Sequence, residues 1–396
     1  MKRAVWLQET KTMRFLETQE QWQTGRITQH EAAQLLGICE RSFRRYLGKY
    51  EEGGMDALMD KRLSQPSKRK APLAEGIALA SLYRERFASY NVRHFHQIYE
   101  ARGGVAGQVR SYSWVKSVLQ GQGLVKAAKA RGKHRIKRER KPLPGMMIHQ
   151  DASTHRWVPS EVWDLVVTMD DATSEHLDMR FVPQEGTASS MAGIKAVLQS
   201  KGLPSSFYSD RGAHYWSTPK AGGKVDKVNL TQFGQAMKRL GIEMIAAYSP
   251  QARGRSERAF KTHQGRLPQE LSSAGIATMQ EANQYLQQTY MPMFNKHFAQ
   301  PPAQDGCAYV PLRGFDVDEI LSECHERTVS NDNCVSYKQL KLQIPADPHR
   351  YHYIRAKVQV RVSCEGTLSI YHGPRHLADY DSSGQRMPEC RNGVVG

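Results

Sequence analysis

The 396-residue chain has no long apolar run and few cysteines. No stretch approaches the roughly 20 apolar residues that a membrane helix needs, and the N-terminus lacks the sustained apolar region of a secretory signal. The six cysteines include no Cys-x-x-Cys pair, and five of them lie beyond residue 300. Zinc-finger spacing is therefore absent, and we expect free thiols, a cytoplasmic location and no membrane partner.

Acidic residues are scarce in the first third of the chain. Residues 1–141 contain 29 Lys and Arg against 13 Asp and Glu, whereas residues 142–396 contain 27 against 26. Nearly all of the formal net charge of +17 therefore belongs to the first third. This asymmetry predicts an N-terminal region that holds a polyanion, joined to a nearly neutral body. A membrane surface could attract the same charge, but the helical motifs that follow favour nucleic acid.

Residues 14–50 have the pattern of a helix-turn-helix, inside a predicted DNA-binding domain at residues 1–60. The first helix is predicted from Arg14, and Thr28-Gln-His-Glu is a capping box that opens the second helix. Helical spacing predicts that the second helix buries Ala32, Ala33, Leu35 and Leu36. In this motif the third helix, about residues 40–50, enters the major groove. Its outer residues are the predicted DNA contacts, namely Arg41, Ser42, Arg44, Arg45 and Lys49. A structural three-helix bundle with a basic surface is the alternative.

A second helical DNA-binding unit is predicted at residues 70–125. Its last helix, about residues 111–120, is predicted to bury Trp114, Val115 and Val118. The outward residues of that helix are the predicted DNA contacts Tyr112, Ser113 and Lys116. Two tandem units suit a protein that reads a long DNA sequence.

Residues 126–145 are a predicted basic linker. Between residues 126 and 141 the chain has nine Lys and Arg and a single Glu. Such a run is not expected to fold on its own, and its predicted role is to neutralise phosphates, which makes affinity depend on salt. The predicted contacts in it are Lys133, Arg135, Lys137 and Arg138. A solvated linker without contacts is the alternative.

Three carboxylates further along the chain stand in distinct contexts. Asp151 is predicted at the end of a first strand, Asp210 where a later strand opens into Arg-Gly, and Glu257 at the start of a helix after Arg-Gly-Arg-Ser. Two acids at strand ends and one on a helix can converge on hard cations, which prefer carboxylate oxygens. Two such ions about 4 Å apart can activate an attacking hydroxyl and stabilise a leaving oxygen in an in-line phosphoryl displacement.

The order of these motifs resembles that of the DDE transposases and integrases of the retroviral-integrase superfamily. The residues that carry the resemblance are Asp151, then Ser-Asp-Arg-Gly-Ala-His-Tyr, then Ser-Pro-Gln-Ala-Arg-Gly-Arg-Ser-Glu-Arg. The group that the chain resembles is the ISNCY group of bacterial insertion-sequence transposases. The resemblance implies that Asp151, Asp210 and Glu257 are the catalytic and metal-binding acids, with two Mg²⁺ or Mn²⁺ ions and no organic cofactor. The chain departs from the integrase pattern in the interval between Asp210 and Glu257, which is longer than is typical of integrases. Residues 217–229 are predicted to be a loop insertion that accounts for the extra length.

Other residues compete for these roles. Asp170 and Asp171 end an apolar run and could supply the first acid, although Asp-Asp-Ala-Thr is also good turn chemistry. Asp178 and Glu243 are weaker alternatives, and each acid by itself could be a turn residue or part of a solvated helix. The aromatic neighbours His155, Trp157 and His214 are predicted to pack or position rather than to bind metal. Arg253 and Arg255 are predicted phosphate contacts, because guanidinium matches phosphate geometry.

The predicted fold class is α/β, with an RNase H-like core at residues 146–300. The predicted order βββαβαβα is that of an RNase H-like fold, and the resemblance implies a mixed five-stranded sheet with flanking helices. The helical DNA-binding units precede this core. After it, runs such as Lys357-Val-Gln-Val-Arg-Val alternate apolar and polar residues at period two, which predicts a small β-barrel domain at residues 305–396.

These observations predict a DNA transposase that cuts the 3′ ends of its own insertion sequence and transfers them to target DNA. Its predicted partners are double-stranded DNA and further copies of itself, since two ends must be brought together. The alternative from another class is a catalytically silent repressor derived from a transposase. A structural nucleoid protein and a nuclease that cuts without joining stay open.

Overall fold

The structure, a computed structural model, describes residues 2–60, 71–127, 138–220, 223–248, 254–314 and 316–388. Two compact units divide the chain: Met1–Arg86 with Tyr99–Val125, and Phe87–Ile98 with Lys126–Gly396. Within the described ranges no helix is both long and apolar enough to cross a membrane, and the five cysteines there are free thiols. The predicted domain boundaries stay predictions.

The N-terminal residues form helices whose boundaries follow local signals. They are α1 Lys2–Gln23, α2 Gln29–Leu36, α3 Glu40–Leu58, α4 Leu73–Arg86, α5 Val92–Ala101 and α6 Tyr112–Gly121. The predicted capping box is confirmed, because Thr28 accepts from the Glu31 amide while the Glu31 carboxylate accepts from the Thr28 amide. Gly37 ends α2 in the left-handed conformation, with φ 65°. The first three helices pack around Phe15, Ala32, Ala33, Phe43 and Leu47.

Three details of the N-terminal prediction are wrong. α1 begins at Lys2 rather than at Arg14, because the preceding residues include no glycine or proline to stop a helix. Leu35 is 55% exposed, because Ala32 and Ala33 define the inward face of α2 and Leu35 lies beside it. α3 runs on to Leu58 across a kink at Gly53-Gly54, where glycine tolerates the non-helical backbone.

A mixed five-stranded sheet forms the centre of the second unit. Its strands are β1 Ile148–His155, β2 Trp163–Asp170, β3 His176–Val182, β4 Ser206–Ser209 and β5 Glu243–Ala246. Their order is β3-β2-β1-β4-β5, antiparallel among the first three strands and parallel from β1 to β4 to β5. Three helices come after β3, β4 and β5 respectively, in the predicted order. They are α7 Thr187–Ser200, α8 Gln232–Arg239 and α9 Gly254–Gln264. The predicted order βββαβαβα of an RNase H-like core is confirmed.

β1 differs from its prediction at a point that matters for the site. The strand was predicted to end at Asp151, but it continues to His155. The reason is that residues 152–155 stay paired with β2 as far as Trp163. The parallel partner β4 ends at Ser209, so the second half of β1 has a neighbour on one side only. Asp151 therefore lies in the middle of a strand.

Helices cover both faces of the sheet. α7 and α8 pack on one face through Ile148, Ile194, Phe207 and Phe233. Gly193 allows this close approach, because a Cβ there would lie only 2.3 Å from the side-chain nitrogen of Gln150. The other face carries α9 and the later helices through a second apolar cluster. Those later helices are α10 Leu267–Ser273, α11 Met279–Tyr285, a π-helical segment Leu286–Tyr290 and α12 Met291–Phe298.

The C-terminal residues are rich in strands, but the predicted barrel is not confirmed. After α13 Val317–Ile320 come β6 Glu323–Thr328, β7 Cys334–Tyr337, β8 Leu340–Gln343, β9 Lys357–Val362, β10 Leu368–His372 and β11 Arg375–Tyr380. They form a four-stranded sheet in the order β11-β10-β9-β6 and a separate β7-β8 hairpin. Among the described strands β11 and β6 are therefore open edges. Alternating burial along β9, as the sequence pattern predicted, contributes Val358 and Val360 to a common core with the hairpin.

Candidate functional site

Asp151 lies on β1, and Asp210 follows directly after β4, the parallel neighbour of β1. His149 of β1 is the register partner of Tyr208 of β4. Asp151 and Asp210 each come two residues later, so continuing the register places them at the same level, roughly 5 Å apart across the sheet. Because strand side chains alternate between faces, both acids project from one face. Asp151 is buried and Asp210 is half-buried.

Asp151 and Asp210 both act on the pKa of one buried phenol, that of Tyr215. Tyr215 is fully buried, and its hydroxyl lies 2.9 Å from the Gln150 side-chain oxygen. Burial, followed by the negative charges of Glu185, Asp151 and Asp210, raises the pKa of Tyr215 well above its usual value. The phenol therefore stays protonated and can donate a hydrogen bond close to three carboxylates.

Glu185 is the carboxylate that the sequence reasoning missed. It lies just before α7, where its backbone amide donates to Asp164 at 2.7 Å. One of its carboxylate oxygens is 3.3 Å from the Tyr215 hydroxyl and 3.4 Å from His214 Nε2. No sequence motif marks this residue. It reaches the site because β3 runs antiparallel to β2 and returns the chain to the end of the sheet where β4 also ends.

The loop after β4 is shaped around the Asp210 carboxylate. Asp210 Oδ1 accepts from the Gly212 amide at 2.8 Å. A Cβ at Gly212 would lie 3.0 Å from that oxygen and 3.0 Å from the His214 ring, so a side chain there would crowd both. The predicted insertion at residues 217–229 has no helix or strand among its described residues; an isolated bridge joins Ser217 and Asp226.

Glu257 is not placed with the other two acids. α9 packs against β1, where the Gln264 side-chain amide donates to the Ser153 hydroxyl at 2.9 Å and Phe260 is buried. Glu257 itself is exposed in the first turn of that helix. Across the described ranges no group of three or more His, Cys, Asp or Glu side chains is arranged to hold a metal ion. The role of Glu257 as a third acid therefore stays a prediction.

The last turn of α9 is fixed by buried histidines. His263 lies 2.9 Å from His176 of β3 through their Nε2 atoms and 3.0 Å from the Tyr290 hydroxyl through Nδ1. Burial lowers the pKa of His176 to about 4. Burial, with the nearby His176 and Arg266, lowers the pKa of His263 well below its usual value. Both imidazoles are therefore neutral at pH 7 and hold the helix by neutral hydrogen bonds.

Acidification is expected to destabilise the protein through this pair. The folded pKa of His176, about 4, lies below the ordinary value of 6.5, so the unfolded chain binds the extra proton. The stability contribution is complete above pH 6.5 and falls as the pH drops towards 4, by up to roughly 3 kcal/mol. Urea unfolding across this range measures the loss. His176→Gln keeps a polar partner for His263 but does not titrate, and we expect a flatter curve; equal slopes for both proteins would contradict the assignment.

Two of the competing acids, Asp170 and Asp178, have structural roles. Asp170 accepts from the amides of Gly145 at 2.8 Å, Ala172 at 2.8 Å and Thr173 at 3.1 Å, which is the predicted turn chemistry. Asp178 is buried and pairs with Arg180 at 2.7 Å. The remaining alternative, Glu243, is exposed at the start of the outer strand β5. None of the three is placed beside Asp210.

The aromatic residues near the site, His155, Trp157 and His214, pack against other side chains, as predicted. Trp157 is buried and its indole nitrogen donates to the Trp163 carbonyl at 2.9 Å. His155 contacts the Trp157 ring, with centroids 5.0 Å apart. His214 packs on Tyr215 at a centroid distance of 3.9 Å.

The predicted DNA contacts of α3 form an exposed basic face. Arg41, Arg44, Arg45 and Lys49 are exposed and Ser42 is half-buried. In α6, Ser113 is exposed, whereas Tyr112 and Lys116 are half-buried. Trp114 and Val118, predicted to be buried there, are only half-buried, and Val115 and Leu119 form the inward face.

Two of the predicted phosphate contacts near the sheet come together. Arg138 and Arg255 both donate to the buried carboxylate of Asp171. The end of the predicted basic linker is therefore held against the core through Arg138. Lys133, Arg135, Lys137 and Arg253 lie outside the described residues.

Comparisons with known proteins agree with the sequence motifs. Residues 19–73 match the family described as winged helix-turn helix. "Putative transposase y4bF" of Sinorhizobium fredii is 27% identical over 355 residues, which cover 87% of this chain and 75% of that protein. "Transposase for insertion sequence IS1202" of Streptococcus pneumoniae is 26% identical over 397 residues, which cover 90% of this chain and 84% of that protein.

Solved structures show weaker similarity. The HTLV-2 integrase catalytic core domain in complex with magnesium is 15% identical with a TM-score of 0.28, covering 37% of this chain and 89% of that one. The simian T-cell lymphotropic virus intasome in complex with PP2A regulatory subunit B56 gamma is 13% identical with a TM-score of 0.34, covering 79% of this chain and 100% of that one. These scores are too low to establish a shared fold, so the fold assignment rests on the strand order. Over most of its length the chain is therefore similar to two proteins named as transposases, and its residues 19–73 match the winged helix-turn helix family.

Proposed function

We propose that the protein is a DDE transposase of the ISNCY group that cuts the 3′ ends of its own insertion sequence and joins them to target DNA. The observation that supports the proposal is the parallel register of β1 and β4, because Asp151 and Asp210 each come two residues after the paired His149 and Tyr208. The two relatives described above are both named as transposases, and each is similar over most of its length. The polynucleotidyl transfer needs no nucleophilic side chain, because water and then a DNA 3′-hydroxyl attack phosphorus.

The donor chemistry of the acid pair fits a divalent metal. Asp151 and Asp210 present carboxylate oxygens from one face of the sheet, and Mg²⁺ and Mn²⁺ prefer oxygen donors. When bound, two such ions supply electrostatic stabilisation for an in-line phosphoryl displacement. The chain contributes rigidity, since hydrogen-bonded strands hold Asp151 and the Gly212 amide orients Asp210. Glu257, exposed on the adjacent helix, is the proposed third acid and completes the set when DNA and metal are bound.

DNA binding is proposed for the basic face of α3 and for the basic residues before β1. The helix-turn-helix match and the exposed cations of α3 support major-groove contact with the terminal inverted repeats. The residues before β1 would add phosphate contacts that are independent of sequence. We also propose self-association, because two ends of one element must be cut together. The silent-repressor alternative has no observation in its favour, since it does not require the adjacent acids.

The third acid is tested by comparing Glu257→Gln with Glu185→Gln. Both substitutions remove one carboxylate charge and keep the side-chain size. We expect Glu257→Gln to lower Mg²⁺-dependent cutting of DNA that carries the terminal repeats by about 10²- to 10³-fold, as for loss of a group that stabilises developing charge. Glu185→Gln is expected to lower it less than about tenfold, because Glu185 acts on Tyr215 and His214.

Gel-shift binding in Ca²⁺ serves as the control for both variants. A large loss with Glu185→Gln and none with Glu257→Gln would move the third acid to Glu185. Wild-type protein that binds the repeats tightly but neither cuts nor joins them would contradict the proposed function and favour the repressor.

A further inference from the structure

Asp171 is a fully buried carboxylate surrounded by cationic groups. One of its oxygens accepts from both Arg138 and Arg255 and lies 2.6 Å from His149 Nε2. The other oxygen accepts from the Lys141 amide at 2.7 Å. Arg255 in addition donates to the Arg138 carbonyl at 2.7 Å. A single carboxylate thus joins the residues before β1 to the first turn of α9.

Around Asp171, the positively charged side chains outnumber the negatively charged ones. Arg140 is a third guanidinium in the cluster, and it donates to the Asp171 carbonyl at 2.9 Å and to the Ser174 hydroxyl at 2.8 Å. Burial lowers the pKa of Arg255, and the charges of Arg138 and Arg140 lower it further, although Asp171 opposes them. Two guanidinium groups therefore contact the Asp171 carboxylate, and a third lies beside it on the backbone carbonyl of the same residue. A second anion would be stabilised here.

The cluster is adjacent to the acid pair. His149 and Asp151 are two residues apart on β1, so their side chains share a face and lie about 7 Å apart along the strand. The Arg138 guanidinium lies over the Tyr208 ring, 5.5 Å from its centroid, and Tyr208 comes two residues before Asp210. Arg255 comes two residues before Glu257 on α9. An anion held by these arginines would therefore lie next to a phosphate held at the acids.

We propose that Asp171 is a positioning residue that holds Arg138 and Arg255 together as one clamp for a DNA backbone phosphate beside the phosphate that is cut. The inference rests on the proposed function. Both guanidinium groups can be reached, because the Arg138 side chain is 33% exposed and that of Arg255 is 18% exposed. A paired arginine fork matches the planar, multidentate recognition of phosphate. Fixing both forks before DNA arrives reduces the entropy lost on binding.

The clamp can be tested by neutralising single phosphates of the DNA. The substrate is duplex DNA with the terminal repeat, in which one linkage near the cut at a time is an uncharged methylphosphonate. Single-turnover cutting in Mg²⁺ by wild-type protein is expected to show one position beside the cut where neutralisation slows the reaction about 10- to 100-fold. In Arg138→Gln or Arg255→Gln, neutralising that phosphate should slow cutting less than about threefold. The reason is that the arginine charge that contacts the phosphate has already been removed.

Asp171→Asn tests the positioning role itself. It keeps the side-chain shape and removes the charge that holds both arginines. We expect the rate at saturating DNA to fall about 10- to 100-fold, while the DNA dissociation constant changes less than about threefold, because phosphate contacts elsewhere supply most of the affinity. The position-specific methylphosphonate penalty should disappear. Arg140→Gln is the matched control: it removes one positive charge from the same cluster but leaves the Asp171 carboxylate contacts, so the penalty should remain.

Each outcome decides the inference separately from the proposed function. If wild-type protein cuts DNA and the penalty survives in Asp171→Asn, Arg138→Gln and Arg255→Gln, the clamp is overturned and the function stands. If wild-type protein does not cut, the function fails, and the same duplexes assayed for binding in Ca²⁺ show whether one phosphate position depends on these arginines. If thermal unfolding shows that Asp171→Asn does not fold, the two arginine variants, whose side chains are partly exposed, carry the test.

Discussion

Asp151→Asn and Asp210→Asn are each expected to lower Mg²⁺-dependent cutting and strand transfer by at least about 10³-fold, with binding of the terminal repeats unchanged. The two carboxylates stand side by side and are proposed to bind the same ions, so removing either one removes the electrostatic stabilisation that both provide. For the same reason the double variant should be no worse than either single one, because groups that act as a unit are not additive. Single-turnover cutting of labelled repeat DNA measures both rates.

Glu243→Gln is the control for this prediction. Glu243 is an exposed carboxylate in the same sheet, on the outer strand β5, and its loss should leave the rate within about twofold. Asp170→Asn addresses the competing first acid, whose oxygens accept from the backbone of the turn after β2. An active Asp151→Asn together with an inactive but folded Asp170→Asn would show that the first acid is wrongly assigned.

Removing the basic face of α3 is expected to reduce DNA binding more than any other surface change. A variant with alanine at the exposed cations Arg41, Arg44, Arg45 and Lys49 should lose up to four phosphate or base contacts. The slope of log affinity against log salt should then become less steep by roughly three to four, because each phosphate contact contributes about 0.9. Each arginine that reads a base edge adds about 1–3 kcal/mol of discrimination, so specificity over unrelated DNA should also fall. Fluorescence anisotropy across a salt series measures both effects.

A pair of double variants separates groove contact from general charge. Arg41→Ala with Arg44→Ala and Lys11→Ala with Arg14→Ala each remove two exposed positive charges from the helix-turn-helix region. Only the first pair lies on the proposed recognition helix. Equal losses of affinity and specificity in the two variants would show that α3 contributes charge alone, and that it is not the element that enters the major groove.

Local signals were enough to predict most elements of the core. The strands and helices of the core occur in the order βββαβαβα that was predicted. The errors occurred where a neighbour in space, rather than the local sequence, sets the boundary. β1 extends past Asp151 because β2 continues to pair with it, and Leu35 is exposed because Ala32 and Ala33 define the inward face of α2.

The candidate site likewise contains some residues that sequence motifs identified and others that only the tertiary structure revealed. The motifs around Asp151 and Asp210 identified two acids that the strand register then placed together. Glu185 had no motif, since it enters through a connection whose path depends on the whole sheet. Asp171 was read as a turn residue, because a sequence does not reveal that two distant arginines meet on one carboxylate.

The sequence by itself determined the order of elements, the excess positive charge of the first third, and the residue types that could hold a metal or contact DNA. These depend on neighbours along the chain, where periodicity, capping and charge act. Only the tertiary structure decided which acids are adjacent, which histidines fix α9 and where the arginines gather. Those relations depend on strand register and helix packing, which are set by the burial of apolar side chains from the whole unit at once.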